Sequence, residues 1–278
     1  MINFLQMVSK IERKEIRAVF FSFLFVVVLM TAYYILRPVR DAMASDWTDA
    51  EVSWLWTLNF FISTGIVALY GIAVSKFRFR LLVPTMYGIF AGSFVMFYLL
   101  GSISDDRTLI DKAFYVWVSV FSLFNISVFW SFMSELFSKE QSGRLFGIIA
   151  VGASIGGLIG PSITAFFSVS LGIDNLMLIA STMLLIPIPI IFYLQSLKAT
   201  DLNNGKLDLT PPSQPIGGNP IAGFKMLFSN PYLLSIALFI FLYTGISSFI
   251  YFELKNLLSD LSRPERSAIW AQMDLAVN

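Results

Sequence analysis

The chain has 278 residues, of which 56% are hydrophobic and 13% are charged, too few charges to cover a soluble protein of this size. The net charge of +1, without a basic cluster, argues against nucleic acid as a partner. Because cysteine and histidine are absent, thiol chemistry and the usual nitrogen and sulfur metal ligands are excluded, and we expect no metal and no cofactor. The composition predicts an integral membrane protein in contact with the lipid bilayer.

Seven stretches without Asp, Glu, Lys or Arg follow one another, at residues 18–36, 52–75, 81–104, 113–134, 145–173, 175–197 and 226–252. A hydrocarbon core of about 30 Å requires about 20 apolar residues in a helix. Backbone amides in lipid find partners only inside their own helix. We therefore predict seven transmembrane helices, called segments one to seven. A cleaved signal peptide is the alternative for segment one, but this run exceeds the roughly 7 to 15 residues of a signal core.

Positive charges are unevenly distributed among the connections between segments. The N-terminal region and the connections after segments two, four and six carry more Lys and Arg than the other connections. Because an excess of Lys and Arg marks the cytoplasmic side, the N-terminus is predicted to be cytoplasmic. The expected location is a bacterial inner membrane.

The segments divide the chain into three parts. Residues 1–197 are predicted to form a six-helix bundle, 198–230 a cytoplasmic linker, and 231–278 the start of a second bundle. Asn219 and Pro220 favour a short interfacial helix in the linker, and the Asn230-Pro231 pair predicts the start of segment seven.

This layout is typical of a transporter with two six-helix halves. We therefore expect the chain to be the N-terminal part of a longer protein, with an eighth helix beginning near residue 267. A complete seven-helix sensor or receptor is the alternative. A retinal-binding pump is disfavoured, because no lysine lies between residues 232 and 252 to form a Schiff base.

The end of segment one carries charged residues within an otherwise apolar helix. If the helix continues through Pro38, one face holds Tyr33, Arg37, Arg40 and Asp41, with Tyr34 beside them. Guanidinium groups suit the oxygens of phosphates and carboxylates, and a tyrosine can stack or hydrogen-bond next to them. The pattern predicts an anionic small molecule as substrate. Alternatively, both arginines extend to lipid headgroups while Asp41 pairs with Arg37.

Residues 34–41 resemble the first-helix signature of the ATP/ADP translocase family, the nucleotide exchangers of plastids and intracellular bacteria, and of their bacterial relatives. Residues 129–132, 140–147 and 274–278 resemble the same group. The resemblance implies nucleotide exchange, with the position of Arg40 involved in nucleotide binding. Two positions depart from the exchanger pattern: Arg40 stands where lysine is usual, and Pro38 is closer to the bacterial relatives.

Segment five has a glycine at every fourth residue: Gly152, Gly156 and Gly160, the last followed by Pro161. Such spacing places the glycines on one face and permits close helix packing. The ridge resembles the corresponding motif of the major facilitator superfamily, in which that face packs against the other half. The resemblance implies that segment five is a surface on which the two halves move.

Other polar residues within the segments are few. Asn59 and Asn125 are candidate residues lining the substrate path, or they bond neighbouring helices. Glu253, at the end of segment seven, is predicted to pair with Arg37 or Arg40 and close a gate between the halves.

Together these patterns predict an all-α, polytopic membrane protein of the major facilitator type, working by alternating access. The expected substrate is an organic anion such as a nucleotide or phosphorylated metabolite, with Asp41 orienting an arginine or coupling transport to protons. A proton-coupled exporter of small amphipathic molecules is the alternative. An enzyme is not expected, because no clustered carboxylates or serine nucleophile arrangement is present. Oligomeric state is not indicated by the sequence.

Overall fold

The computed structural model describes residues 11–76, 79–202 and 228–278. The regular elements in these ranges are the helices α1 (Ile16–Ala44), α2 (Asp49–Lys76), α3 (Phe79–Ile103), α4 (Thr108–Leu136), α5 (Lys139–Leu171), α6 (Ile173–Leu185), α7 (Pro187–Thr200), α8 (Pro231–Leu257) and α9 (Arg263–Val277). In the described residues, 7 helical stretches are long and apolar enough to span a membrane, with α6 and α7 forming one of them. The prediction of an all-α polytopic protein is confirmed. The interfacial helix expected at Asn219 and Pro220 lies outside the described residues.

Local sequence signals account for several helix ends. A capping box of Ser138 and Gln141 starts α5, and Gly172, with a φ of 79°, ends it. The side chain of Asn230 accepts a hydrogen bond from the backbone of Tyr232, so α8 begins at Pro231 as the sequence predicts. Pro187 begins α7 directly after Ile186, where α6 ends.

The first helix is the centre of the bundle. It packs against α4, α5, α6, α7 and α9. Aromatic side chains fill the interior around it: the Phe25 ring lies 5.5 Å from Tyr87 and 5.0 Å from Phe129, both edge-on. Residues 45–48 connect α1 to α2 at one end of the bundle, called the Asp46 end below.

The last two helices differ in how they meet the bundle. Lys255 is the one buried residue of α8 in the described chain. Tyr251 and Phe252 also pack against Trp56, whereas most of the side chains nearer the start of α8 are exposed and apolar. By contrast, α9 packs against both α1 and α5. Its start is defined by a capping box of Ser262 and Glu265 with Pro264 in the first turn. Because α6 and α7 form one span, α9 corresponds to the eighth helix that the sequence predicts.

Candidate functional site

Helix α1 continues through Pro38 to Ala44, so the condition for a common polar face is met. Pro38 lacks an N–H group and removes one hydrogen bond of the helix, but the helix does not end there. Tyr33, Tyr34, Arg37, Arg40 and Asp41 consequently lie in the part of α1 that approaches the Asp46 end. The structure brings these five predicted residues together, but it gives the two arginines different surroundings.

The guanidinium of Arg40 is held by neighbouring side chains. Its Nε and Nη2 donate to Oδ1 of Asp41 at 2.9 Å and 2.7 Å, and its Nη1 donates to the hydroxyl of Ser119 at 3.3 Å. The group also lies 5.5 Å from the centre of the Tyr115 ring. With only 16% of its side chain exposed, Arg40 is oriented by the protein itself.

Asp41 links Arg40 to three further helices. Its Oδ1 accepts a hydrogen bond from the hydroxyl of Tyr251 on α8 at 3.3 Å. The hydroxyls of Tyr251 and Tyr115 are 3.2 Å apart, and the indole N–H of Trp56 on α2 donates to Tyr115 at 2.7 Å. A continuous network therefore connects α1, α2, α4 and α8. We call Arg40, Asp41, Tyr115 and Tyr251 the Arg40 cluster.

Arg37 is more exposed, and its contacts with the described residues are ion pairs and a ring contact. It forms ion pairs with Asp274 of α9, at 3.1 Å, and with Asp41, at 3.8 Å. Within the described chain its guanidinium donates no hydrogen bond, although a guanidinium carries five N–H donors. The ring of Tyr34 lies 5.9 Å away. Since 36% of the side chain is exposed, a ligand can reach it.

The two neighbouring tyrosines have different contacts. The hydroxyl of Tyr34 donates to Oδ1 of Asn278 at 3.2 Å, so α1 and α9 meet here. A methyl group at Gly157 of α5 would lie 3.4 Å from the Tyr34 ring and 3.6 Å from Cγ of Asn278. Tyr33 is half-buried against Phe121, with ring centres 6.4 Å apart. We call Tyr34, Arg37, Asp274 and Asn278 the Arg37 site.

The two candidate asparagines do not join these residues. Asn59 accepts a hydrogen bond from Ser63 at 3.2 Å within α2. Asn125 is 1% exposed, and neither polar atom of its side chain has a hydrogen-bond partner among the described residues. The backbone carbonyl of Asn125 accepts from the hydroxyl of Tyr87 at 3.3 Å. Their predicted role as lining residues stays a prediction.

The glycine ridge of α5 packs against α1, inside the first bundle, whereas other residues of α5 contact α9. Its predicted role as a surface between moving halves stays a prediction. A methyl group at Gly156 would lie 2.6 Å from both the Met30 Cβ and the Val27 carbonyl oxygen. At Gly152 and Gly160 the nearest atoms also belong to α1. The ridge thus brings α1 and α5 into backbone contact. Pro161, one residue later, is buried within a helix that continues to Leu171.

Glu253 does not form the predicted pair with Arg37 or Arg40. Its side chain is exposed, and the carboxylate that reaches Arg37 from the second part of the chain is Asp274. The residue that pairs on α8 is instead Lys255, whose ammonium group donates to the Trp47 carbonyl at 2.7 Å and lies 3.0 Å from Asp49. The correction follows from helix geometry, since residues two apart in a helix point in different directions.

A belt of charged residues joins the α8–α9 connection to the Asp46 end. Arg263 pairs with Asp46 and, at 2.7 Å, with Asp111 of α4. Arg266 pairs with Asp46 and donates to the carbonyls of Leu258, Ala42 and Ser259. We call Asp46, Asp111, Lys255, Arg263 and Arg266, with Asp49, the belt. The belt joins α8 and α9 to α2, to α4 and to the residues between α1 and α2.

The sequence interpretation did not select several of these residues as site residues: Ser119, Tyr115, Tyr251, Asp274 and Asn278. The spacing of Tyr115 and Ser119, one turn apart on α4, is a weak signal for a shared face. Asp274 and Asn278 belong to residues 274–278, which the sequence interpretation noted only for their resemblance to the translocase group. In the described part of the chain, no group of three acidic side chains is placed to hold a metal ion.

Comparison with protein-family models identifies the family. Residues 19–268 match the Major Facilitator Superfamily, which comprises transporters. The agnestins efflux protein of Paecilomyces divaricatus is 28% identical over 122 residues, which are 44% of this chain and 27% of that relative. The chain thus aligns with about a quarter of that relative's length. No solved structure matches. Because the family match covers most of the chain, including α1 to α8, this protein is a member of the Major Facilitator Superfamily.

Proposed function

We propose that this transporter carries an organic anion with a phosphate or carboxylate group, such as a nucleotide or phosphorylated metabolite. The observation that supports this most directly is the state of Arg37. It lies inside the bundle beside a tyrosine, is partly exposed, and donates no hydrogen bond to a described residue. Hydrogen bonds from a guanidinium to a phosphate or carboxylate are charge-assisted and therefore strong. A bound anion would accept such bonds from Arg37.

The Arg40 cluster supports this role indirectly. Arg40 is fixed by Asp41 and Ser119, so it does not need to move when substrate binds. Its charge is balanced mainly by Asp41, which leaves Arg37 to meet the ligand. Tyr34, and Tyr33 beside it, would line the path, since an aromatic ring next to a guanidinium can stack on a planar group.

Nucleotide exchange is the narrower form of the proposal. It is supported by the resemblance of residues 34–41 to the first-helix signature of the ATP/ADP translocases. The two halves of the native protein would alternate in access around the Arg37 site. With the N-terminus in the cytoplasm of a bacterial cell, as the distribution of Lys and Arg predicts, the Asp46 end would face outward.

Export of small amphipathic molecules is the second candidate. It is supported by the similarity to the agnestins efflux protein and by the aromatic side chains along α4, such as Tyr115 and Phe121. An exporter of neutral or cationic compounds would not depend on a guanidinium with unused donors. The two candidates therefore differ in the effect of replacing Arg37.

The test is counterflow in proteoliposomes containing the native-length protein, preloaded with ADP and supplied with labelled ATP. We expect uptake that depends on internal ADP and falls by about 10- to 100-fold in Arg37→Ala, because hydrogen bonds to a charged group contribute about 1.5–3 kcal/mol. Arg17→Ala is the matched control, since Arg17 lies on the same helix with 71% of its side chain exposed.

Two results would count against the proposal. Uptake of ATP that is unchanged in Arg37→Ala would remove this arginine from the site. A folded protein that takes up neither ATP nor inorganic phosphate, but extrudes the amphipathic dye rhodamine 6G, would establish the exporter instead.

A further inference from the structure

We infer that Asp274 competes with the substrate anion for Arg37, so that a bound anion and the ion pair between α1 and α9 exclude each other. The inference rests on the proposed function, because it concerns the same anion at the same arginine. Asp274 would occupy the position of the substrate anion when no substrate is bound.

The contact between Asp274 and Arg37 is weakly constrained. Nη1 of Arg37 lies 3.1 Å from Oδ1 of Asp274, but the approach lacks the direction of a hydrogen bond. The carboxylate of Asp274 accepts no hydrogen bond from the residues that the structure describes, although its side chain is only 13% exposed. Charge alone therefore holds it against Arg37. A substrate oxygen with better alignment could take its position.

Asp41, the other carboxylate near Arg37, is not a comparable competitor. It lies farther from Arg37, at 3.8 Å, and it already accepts two hydrogen bonds from Arg40 and one from Tyr251. Its side chain is 3% exposed. Displacing Asp41 would break a hydrogen-bonded network, whereas displacing Asp274 breaks one ion pair.

The local charges show why displacement and binding are coupled. Two arginines and two aspartates, Arg37, Arg40, Asp41 and Asp274, balance one another when no substrate is present. An anion added at Arg37 would bring a third negative group to a guanidinium that already pairs with Asp274 and Asp41. Repulsion then favours moving Asp274, which belongs to α9, over moving Asp41, which is held within α1.

The position of Asp274 determines what its displacement does. It lies about 12 Å along the axis of α9 from Arg266, at the rise of an α-helix. Arg266 anchors the first turn of α9 to Asp46 and to three backbone carbonyls. An anion at Arg37 would therefore weaken the contact of α9 with α1 around Asp274, where the hydrogen bond from Tyr34 to Asn278 also lies, while the belt retains the first turn of α9.

The first experiment measures binding to the native-length protein in detergent, by calorimetry with ADP and with inorganic phosphate. In Asp274→Asn we expect about three- to tenfold tighter binding of ADP than in wild type, because the competing charge is removed. Asp201→Asn is the matched control. Asp201 makes an exposed ion pair with Arg17 at 4.0 Å, far along α1 from Arg37.

The second experiment reports on the α9 contact itself. A methyl group at Gly157 would lie 3.6 Å from Cγ of Asn278, so the two positions are neighbours, and a cysteine at each tests their proximity by disulfide formation. The 278 residues contain no native cysteine, and any cysteine elsewhere in the native protein would be replaced by serine. We expect rapid disulfide formation without ligand, slower formation with ADP, and slow formation in Asp274→Asn with or without ADP.

The outcomes separate this inference from the proposed function. ADP binding that is unchanged or weaker in Asp274→Asn would overturn the inference and leave anion transport standing. ADP binding that leaves the rate of disulfide formation unchanged would also overturn it. If the wild-type protein binds neither ADP nor phosphate, the anion proposal fails, and the role of Asp274 fails with it.

Discussion

The first turn of α9 and the region of Asp274 contact the first bundle in two contrasting ways. At the start, in the belt, Arg266 is 6% exposed and its guanidinium donates to Asp46 and to three backbone carbonyls. At the end, in the Arg37 site, a partly exposed arginine faces a single carboxylate of α9 and donates no hydrogen bond to a described residue. Both contacts place arginine beside aspartate. They differ in how completely the donors of the arginine are used.

The difference separates a contact that supports the fold from one that can accept a ligand. A guanidinium with most of its donors occupied, as in Arg266, has little to gain from a bound anion and loses stability if its partners are removed. A guanidinium with few hydrogen bonds to the protein can bind an anion and loses little stability if its protein partners are removed. Hydrogen-bond saturation, more than the presence of an ion pair, is thus the feature that distinguishes the belt from the Arg37 site.

The largest effect is expected from Arg266→Ala. Removing this buried side chain takes away the donors to three backbone carbonyls and one of the two arginine partners of Asp46, so we expect destabilisation by about 3–5 kcal/mol. Thermal unfolding of the native-length protein in detergent measures it. Arg37→Ala is the paired variant, because it removes an arginine that is partly exposed. We expect it to lower the free energy of unfolding by less than about 1 kcal/mol. Equal losses in the two variants would contradict the distinction between the regions.

Two adjacent glycines on α5 permit a comparison of tight and loose packing that involves no charged group. A methyl group at Gly156 would lie 2.6 Å from the backbone carbonyl oxygen of Val27, so Gly156→Ala should force α1 and α5 apart and destabilise by about 1–3 kcal/mol. At Gly157, which faces the Arg37 site, the nearest atom would be 3.4 Å away in the Tyr34 ring. Gly157→Ala should leave the unfolding temperature nearly unchanged. A larger loss for Gly157→Ala would show that the α9 side of α5 is the tighter one.

An intermediate effect is expected for Lys255→Met. The ammonium group donates to the Trp47 carbonyl at 2.7 Å, and methionine retains much of the apolar volume. Leaving that carbonyl unpaired should destabilise the protein by about 1–3 kcal/mol. Asp49, the ion-pair partner, is 57% exposed, so Asp49→Asn should lower stability by less than about 1 kcal/mol. If Asp49→Asn has the larger effect in thermal unfolding, the ion pair rather than the buried carbonyl stabilises this part of the belt.

The sequence predicted the elements of the fold well, because a membrane span has a strong and local signature. The charge-free stretches correspond to the helical spans, and Asn230 with Pro231 marks the start of α8. The polar face of α1 was also predictable, since it depends only on helical spacing and on α1 continuing past Pro38. Such features are local along the chain.

The partners of those residues were not predictable in the same way. Spacing showed that Gly152, Gly156 and Gly160 share a face, but a face does not identify the helix that covers it. Helical spacing correctly predicted the pair of Arg37 with Asp41, but the partner from the second part of the chain was predicted to be Glu253 on α8 and is Asp274 on α9. With 10 tyrosines and 28 phenylalanines in the chain, no local signal singles out Tyr115 and Tyr251. Long-range packing determines these partners.

The smallest effect is expected for Tyr251→Phe, which tests whether the Arg40 cluster resembles the belt or the Arg37 site. The change removes the hydroxyl that donates to Asp41 at 3.3 Å and meets Tyr115 at 3.2 Å, but it retains the ring, which lies 5.3 Å from Trp270. One neutral donor lost from a carboxylate that keeps two bonds from Arg40 should lower stability by about 0.5–1.5 kcal/mol.

The same variant should leave anion binding within about twofold of wild type, a change of less than about 0.5 kcal/mol, because Tyr251 does not contact Arg37. Calorimetry with ADP on Tyr251→Phe and on wild type measures this. A drop in affinity comparable with that of Arg37→Ala would place the Arg40 cluster among the groups that bind substrate. An unchanged affinity with a modest loss of stability would assign the cluster to the scaffold that positions Arg37.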